Sequence, residues 1–373
     1  MIQPASLYDF LQKNGVSFYT GVPDSLLKPF LTYVQEQAKD HEHIITANEG
    51  LAMGLAAGHF FSTGSIPLVY LQNSGLGNII NPLTSLADKE MYAVPMVLLI
   101  GWRGRPGNKD EPQHVKMGRI TRTLLEALEI PVYELVENEE KCFSIIEEGI
   151  KVALKQKTPV ALLAPDGIFH KYELPETKSR YSLQREKVIA QILERCKGDE
   201  IFVCTTGKIG REFYEQNVKA DNKISKYFLS VGAMGHANHI ALGIKLNTGS
   251  RVIMLDGDGS LLMHMGSLPT IAQHAGTDFI HIIINNGGHE SVGGQPTGAF
   301  KIDFSQLAES CGYKKTVEIR YGKELKEWLA KSFDEKNSSL VEIRTSLASR
   351  NDLGRPSGKP EDWKNNFMKA LKG

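Results

Sequence analysis

Two polar motifs in the second half of the sequence have the residue types and spacing of a magnesium and diphosphate site. Asp258 follows an apolar run at 252–255 and is flanked by glycines, so backbone N–H groups can approach phosphate oxygens. The next apolar run, 279–284, ends in two asparagines, of which Asn286 is the second. Mg²⁺ prefers oxygen ligands such as these. Each motif alone could be an ordinary turn, but their order along two strands favours a cation site.

The first half of the sequence carries an acidic residue and a charged segment that could do acid–base chemistry and bind an anion. Glu49 begins a helix predicted at 49–62, which follows a short strand predicted at 44–47. Taken alone, an acidic residue at the start of a helix usually does no more than interact favourably with the helix dipole. Asp24 and Ser25 follow the first predicted strand. Five cationic or titratable residues lie between a strand predicted at 96–100 and a helix predicted at 119–128: Arg103, Arg105, Lys109, His114 and Lys116.

This charged segment is expected to be a loop. Ligands of open α/β sheets bind beyond the carboxyl ends of the strands, where the segment would lie. An anionic substrate would therefore meet several cations. The segment could equally be an ordinary solvated loop, and the sequence does not decide which individual member binds a ligand.

Length and charge restrict the class of protein. The chain has 373 residues, with 43 Lys and Arg against 43 Asp and Glu, which predicts about two domains and argues against a nucleic-acid partner or a polybasic membrane surface. The four cysteines have neither zinc-site nor disulfide-framework spacing. There is no signal-peptide pattern, and no apolar run approaches the roughly 18 residues that span a bilayer. We therefore expect a cytoplasmic protein.

The elements that would position these residues form two α/β series. Short β-branched runs alternate with helices, which predicts parallel sheets covered on both faces. Predicted strands cover residues 16–20, 44–47, 66–71, 96–100, 131–135 and 160–164, and then 201–204, 228–229, 252–255 and 279–284. We predict two consecutive α/β domains, 1–164 and 187–373, joined by a polar linker at 165–186. The second ends in a polar stretch and one short amphipathic helix.

The acidic motif and the asparagine pair resemble the cofactor motif of thiamine diphosphate-dependent enzymes. The resemblance implies that Asp258, Asn286 and the main-chain carbonyl of Gly288 bind Mg²⁺. In the matching segment 230–236, Met234 would lie beneath the cofactor and the Gly232 carbonyl would accept a hydrogen bond from its aminopyrimidine. The other implied cofactor-binding residues are Glu49, Thr206, Gly207, Gly257, Gly259 and Ser260. Lys208 could be a point charge beside the diphosphate or a solvated loop residue.

Within that family, Glu49 corresponds to the glutamate that hydrogen-bonds the aminopyrimidine. A buried carboxyl group there would have a raised pKa and share its proton with the ring. The family also places the cofactor between the first domain of one subunit and the second domain of another. The resemblance therefore implies a homo-oligomer with the cofactor at the subunit interface.

The segments 21–27, 72–78, 101–104, 109–114 and 289–297 resemble the small decarboxylases of this family that act on acidic 2-oxo acids and lack a central third domain. The resemblance implies decarboxylation of 3-phosphonopyruvate; sulfopyruvate or another small acidic 2-oxo acid is the alternative. It implies Glu49, Asp24 and His114 as catalytic residues. The implied substrate-binding residues are Ser25, Asn73, Arg103, Lys109, His114 and Glu290.

Several alternatives stay open from the sequence. Asp24, His114 or Glu290 could protonate the product. A non-catalytic thiamine-binding subunit is a second class of protein, although it would be free to lose Glu49. A nucleotide-binding α/β protein with a coincidental acidic motif is a third, and it would not bind thiamine diphosphate.

Overall fold

The structure, a computed structural model, describes residues 1–174 and 179–372. These residues form two compact units. The first contains residues 1–174 and 292–295, and the second contains residues 179–291 and 296–372. Part of the predicted linker, residues 175–178, lies outside the described residues, as does Gly373 at the end of the predicted second domain. No helix in the described ranges is both long and apolar enough to cross a membrane.

The first unit is built on a six-stranded parallel sheet in the order β2-β1-β3-β4-β6-β5. Its strands are β1 (Tyr19–Gly21), β2 (His43–Ile45), β3 (Leu68–Gln72), β4 (Met96–Gly101), β5 (Val132–Glu134) and β6 (Pro159–Ala164). Its helices are α1 (Pro4–Lys13), α2 (Lys28–Gln37), α3 (Glu49–Thr63), α4 (Leu76–Pro82), α5 (Pro112–Ala127) and α6 (Glu139–Gln156). All strand pairs are parallel, so the loops after the strands converge on one edge.

Helices cover both faces of this sheet because its central strands are apolar on both sides. On β4, Val97 and Leu99 pack with α1, α2 and α6. The alternate residues Leu98 and Ile100 pack with α3, α4 and α5. The carboxyl edge is therefore the part of the sheet left for polar side chains.

The second unit repeats this plan with the strand order β13-β14-β10-β9-β7-β8. Its strands are β7 (Ile201–Cys204), β8 (Tyr227–Leu229), β9 (Val252–Gly257), β10 (Phe279–Asn285), β13 (Lys315–Ile319) and β14 (Ser338–Arg344), with two-residue strands β11 (Gly288–His289) and β12 (Gln295–Pro296) after β10. Its helices are α7 (Arg185–Arg195), α8 (Lys208–Lys219), α9 (Ala237–Lys245), α10 (Asp258–Met263), α11 (Ser267–His274), α12 (Phe304–Cys311), α13 (Gly322–Lys331) and α14 (Pro360–Lys372).

The core of the second unit also has two layers. The helices α7, α8 and α13 pack on one face of its sheet, and α9 to α12 and α14 pack on the other. Phe367 of the final helix is buried and its ring lies 6.0 Å from that of Phe228. The predicted α/β class with parallel sheets is confirmed.

Three expectations about the elements need correction. His114 and Lys116 lie on α5, which begins at Pro112 rather than at 119; proline at the first helical position has its φ already set for a helix. The strand predicted at 252–255 extends to Gly257 as β9, so Asp258 follows it directly as the first residue of α10. Helix α7 begins at Arg185, two residues inside the predicted linker. The four elements from α12 to β14 were not predicted.

Candidate active-site residues

Glu49 is a buried carboxyl group at the junction between β2 and α3. The side chain of Asn48 caps the helix by accepting the N–H of Leu51 at 3.0 Å, which fixes Glu49 as the first helical residue. The Glu49 side chain is only 5% exposed, and Asn78 Nδ2 donates to its Oε2 at 2.6 Å. Burial raises the pKa of Glu49 and the Asn78 hydrogen bond partly opposes this. The group is therefore suited to holding and releasing a proton.

Asp24 follows β1 and is completely buried. Its Oδ2 accepts from Gln72 Nε2 at 2.7 Å, and its Oδ1 accepts the N–H of Leu26 at 2.9 Å. Burial raises the pKa of Asp24, although these hydrogen bonds and the charge of Arg103 oppose the rise. Gly101, at the end of β4, leaves the necessary space, because a Cβ there would lie 2.0 Å from Oδ1. From the loop after β1, Asp24 therefore contacts the last residues of the two neighbouring strands β3 and β4.

Arg103 forms one wall of a cavity of about 280 Å³ at the carboxyl edge of the first sheet. Its Nε and Nη2 donate to the two oxygens of Asp110, and its Nη1 donates to Ser25 Oγ at 2.9 Å. Burial alone would raise the pKa of Asp110, but Arg103 and the Gly104 N–H lower it. Most of the positive charge of Arg103 is therefore already balanced.

Lys109 also lines this cavity, together with Ser25, Trp102, Arg105 and Asp166. Arg105 is ion-paired with Glu134. Within the described part of the chain, the Lys109 ammonium group has no ion-pair partner. Lys109 is exposed, and it and Asp166 are the charged residues lining the cavity that form no ion pair among the described residues.

His114 and Asn73 differ from the other predicted substrate residues in their surroundings. His114 is half-buried on α5 and is not among the residues that line the cavity; burial and the nearby Arg103 lower its pKa. Asn73 is fully buried, and its Nδ2 donates to the Arg103 carbonyl at 2.8 Å and to Thr121 Oγ1 at 2.9 Å. These contacts make Asn73 a support for the Arg103 loop.

In the second unit, Asp258 and Asn286 follow the adjacent strands β9 and β10. Asp258 is buried, and Thr297 Oγ1 donates to its Oδ2. Burial raises the pKa of Asp258 to about 6, and its hydrogen-bond partners among the described residues are neutral groups. Asn286 Oδ1 accepts the N–H of Gly288 at 3.1 Å. At the ends of these two adjacent strands the structure thus places a buried carboxylate, with no charged hydrogen-bond partner among the described residues, and the side-chain amide of Asn286.

The loops after β7 and β8 meet the start of α10. Thr205 Oγ1 and Ser260 Oγ lie 2.8 Å apart, and Gly235 N–H donates to Ser260 Oγ at 3.2 Å. Thr206 Oγ1 donates to the Val231 carbonyl at 2.9 Å. Of the remaining predicted cofactor residues, Gly207 caps α8 with φ +94°, a conformation that favours glycine.

Met234 and Gly259 lie side by side in this region. A Cβ at Gly259 would be 3.3 Å from Met234 Cε and 3.2 Å from the ring of His289, so glycine permits the close packing. Gly257 is the last residue of β9, directly before Asp258. The Gly232 carbonyl accepts from Ser230 Oγ at 2.6 Å, and a carbonyl oxygen has a second lone pair for another donor.

Glu290 is an ionised member of a charge cluster. Arg185 Nη1 donates to its Oε2 at 2.7 Å and Lys208 Nζ donates to its Oε1 at 3.0 Å. Burial alone would raise the pKa of Glu290, but Arg185 and Lys208 lower it. Lys208, which could have been a solvated loop lysine, also donates to Ser349 Oγ at 2.6 Å.

Comparisons with known proteins identify the family. Residues 4–122 match the thiamine pyrophosphate enzyme N-terminal TPP binding domain, and residues 212–343 match the C-terminal TPP binding domain. The phosphonopyruvate decarboxylase of Streptomyces viridochromogenes is 33% identical, with 98% of this chain and 94% of that protein covered. That of Streptomyces hygroscopicus is 32% identical, with 98% and 93% covered. The chain belongs to the phosphonopyruvate decarboxylase family. The sulfopyruvate decarboxylase of Methanosarcina acetivorans is more distant, at 28% identity with 97% and 96% covered.

The residues of this phosphonopyruvate decarboxylase family member fit thiamine diphosphate with a divalent cation. Asp258 is a buried carboxylate that a cation would neutralise, and Asn286 and Gly288, which follow the adjacent strand β10, could add an amide and a carbonyl oxygen. Among the described residues, no group of three or more His, Cys, Asp or Glu side chains is arranged to hold a metal ion. Such a sparse oxygen set is typical of Mg²⁺, which takes its other ligands from substrate phosphates and water.

Several supporting residues of this family member were not predicted as site residues. Asn78 and Gln72 bond Glu49 and Asp24, Asp110 orients Arg103, and Arg185 holds Glu290. Gln72, Asn78 and Asp110 lie within the segments 72–78 and 109–114 that carry the resemblance, which was the available signal. Arg185 gave no local signal, because its partner is 105 residues away.

Proposed function

We propose that this protein is a thiamine diphosphate- and Mg²⁺-dependent decarboxylase that converts 3-phosphonopyruvate to phosphonoacetaldehyde and CO₂. The observation that carries the proposal is the 33% identity to a phosphonopyruvate decarboxylase across 98% of the chain. The geometry of the individual sites supports it. Glu49 is a buried glutamate with a raised pKa, Asp258 is a buried carboxylate that a cation would neutralise, and Arg103 and Lys109 line a cavity.

In this proposal the second unit holds the diphosphate and the metal. Asp258, Asn286 and the Gly288 carbonyl would ligate Mg²⁺, and the backbone around Gly259 and Ser260 would receive phosphate oxygens. The bound cofactor would supply the electron sink that CO₂ loss requires. Met234 would pack beneath the cofactor. The free lone pair of the Gly232 carbonyl would accept a hydrogen bond from the amino group of the cofactor.

The first unit supplies proton chemistry and substrate binding. Glu49 would hold the proton that is shared with the aminopyrimidine ring, consistent with its raised pKa. Lys109 and Arg103 would bind the phosphonate in the cavity, with Ser25 as a polar neighbour. This assigns the ammonium group of Lys109, which forms no ion pair among the described residues, to the substrate's most highly charged group.

Asp24 is the best of the three candidates for protonating the product carbon. Its pKa is raised by burial, so it retains a proton more readily than an exposed aspartate. Glu290 is held ionised by two cations, and the lowered pKa of His114 favours its neutral form. His114 would then act as a hydrogen-bonding group rather than as an acid.

We further propose that the protein works as a homo-oligomer in which the cofactor joins the first unit of one chain to the second unit of another. Helix α3, which begins at Glu49, exposes an apolar face: Leu51 is 57% and Phe61 is 56% exposed. A Cβ at Gly54 or Gly58 would meet open space. An apolar helix face of this kind is typical of a buried interface.

Sulfopyruvate is the alternative substrate, supported by the more distant relative. The deciding experiment measures CO₂ and aldehyde release from phosphonopyruvate, sulfopyruvate and pyruvate, with Mg²⁺ and with or without thiamine diphosphate. We expect cofactor-dependent turnover with a preference for phosphonopyruvate. Cofactor binding without turnover of any of the three would refute the substrate assignment but not the cofactor assignment.

A further inference from the structure

The two asparagines at the carboxyl end of β10, Asn285 as its last residue and Asn286 directly after it, are oriented by the same arrangement of partners. Asn285 Nδ2 donates to Glu342 Oε1 at 2.7 Å, and its Oδ1 accepts the N–H of Gly287 at 3.0 Å. Asn286 Nδ2 donates to Glu290 Oε2 at 3.0 Å, and its Oδ1 accepts the N–H of Gly288 at 3.1 Å. Each amide is therefore held between one carboxylate and one backbone N–H.

This arrangement fixes which end of the Asn286 amide faces which way. An ionised carboxylate can only accept hydrogen bonds, so the Asn286 NH₂ group must face Glu290. Its Oδ1 then has to face the opposite side, toward the Gly288 backbone. Without Glu290, only the Gly288 N–H would oppose a turned-over amide that presents NH₂ where an oxygen ligand is required.

Glu290 is itself held firmly by two cations. Arg185 Nη1 and Lys208 Nζ contact its two oxygens at 2.7 and 3.0 Å. Arg185 also donates from Nε and Nη2 to the two oxygens of Glu212, at 2.7 and 2.8 Å. The starts of α7 and α8 therefore anchor the loop after β10 through one carboxylate.

We propose that Glu290 is a positioning residue that keeps Asn286 Oδ1 available to the bound cation, and that Arg185 and Lys208 hold Glu290 for this purpose. The inference rests on the proposed function, because it assumes a cation at Asp258 and Asn286. Glu290 is also a predicted substrate-binding residue, and both of its oxygens already accept hydrogen bonds from Arg185, Lys208 and Asn286. Groups that orient metal ligands typically affect metal affinity about 10–100-fold.

The test is a Mg²⁺ titration of the full-length protein in the presence of thiamine diphosphate, followed by quenching of intrinsic fluorescence. For Glu290→Ala we expect the half-saturating Mg²⁺ concentration to rise about 10–100-fold. Glu290→Gln keeps an acceptor for Asn286, so the rise should be much smaller. The melting temperature of each metal-free variant is measured in parallel, and a purely structural role would change that temperature while leaving Mg²⁺ half-saturation alone.

Arg251→Ala is the matched control. Arg251 forms ion pairs with Asp278 and Asp334 in the same unit. It directly precedes β9, whereas Asn286 directly follows the parallel strand β10, so the lost contacts lie at the opposite end of the sheet. It should keep wild-type Mg²⁺ half-saturation. Wild-type half-saturation in Glu290→Ala, or an equal rise in Glu290→Gln, would overturn the positioning role. Mg²⁺-independent cofactor binding by the wild type would instead overturn the proposed metal site itself.

Discussion

Gly75 provides the space that the Glu49 carboxylate occupies: a Cβ at position 75 would lie 2.3 Å from Glu49 Oε1. Gly75 ends the short turn between β3 and α4, whereas Glu49 begins α3. The backbone of Gly75, at φ −76°, is open to any residue. Glycine is therefore needed at this position for space alone, and a larger residue would act by displacing the Glu49 carboxylate.

Gly75→Ala should therefore reduce activity without unfolding the protein. The added methyl group would push the Glu49 carboxylate away from Asn78 and from its working position. We expect kcat to fall on the order of 10²-fold, within the usual range for acid–base groups. The measurement is steady-state turnover together with a melting curve. Gly243→Ala is the control, because a Cβ there meets open space; its activity should stay near wild type.

Glu49→Gln should bind thiamine diphosphate but lose on the order of 10²–10⁴ in rate. The amide keeps the size of the side chain but cannot exchange a proton. If Gly75→Ala acts through Glu49, the double variant should be little worse than Glu49→Gln alone. Turnover and cofactor affinity of all four proteins would be compared. Near-normal turnover of Glu49→Gln would refute its catalytic role.

Asp258 should make both metal binding and stability depend on pH. A carboxyl group whose pKa is raised from 3.8 to about 6 in the folded chain binds its proton more tightly when folded. Its ionisation therefore costs stability as pH rises through this window, by at most about 3 kcal/mol at 1.36 kcal/mol per pKa unit. Mg²⁺ requires the ionised form, so its affinity should fall as pH drops below about 6.

Asp258→Asn should separate these two effects. The metal-free variant should be more stable than wild type at pH 8, with a smaller gain toward pH 5, as measured by chemical denaturation. Its Mg²⁺-dependent cofactor binding should be lost. Unchanged thiamine diphosphate affinity would contradict the metal site, and a pH-independent stability difference would contradict the raised pKa.

Signals that are local in sequence predicted much of the fold and part of the site. The helix start at Glu49 was predicted to the residue, because Asn48 and the following small residues are a local helix signal. The order of apolar strands and polar motifs likewise led to Asp258 and Asn286. The start of α5 was placed too late, although Pro112 was a usable signal, and this put His114 on a loop.

Relationships between distant loops could not be predicted in this way. The need for glycine at position 75 depends on how closely the loop after β3 approaches Glu49. The pairing of Arg103 with Asp110, which leaves Lys109 as a cavity cation without an ion pair in the part of the chain that the structure describes, depends on how one loop folds back on itself. Charge counts of a segment do not reveal which charges are already neutralised.

Lys109 should select for the doubly charged substrate. Its ammonium lines the cavity, whereas Arg103 is paired with Asp110. We expect Lys109→Ala to raise KM for phosphonopyruvate about tenfold, or about 1.4 kcal/mol, with a smaller effect on sulfopyruvate because a sulfonate carries one charge. Lys116→Ala is the control, since Lys116 is exposed on α5 and does not line the cavity. Equal effects on both substrates would argue against this role.

The exposed face of α3 should hold the oligomer together. Phe61→Glu would bury a carboxylate without a partner in the proposed interface, which costs several kcal/mol. We expect sedimentation analysis to show a lower mass and thiamine diphosphate binding to weaken, because each cofactor site would lose residues from the second chain. Leu154→Glu is the matched control: Leu154 is 49% exposed on α6, which packs on the opposite face of the sheet. A Phe61→Glu protein with wild-type mass would exclude α3 as the contact surface.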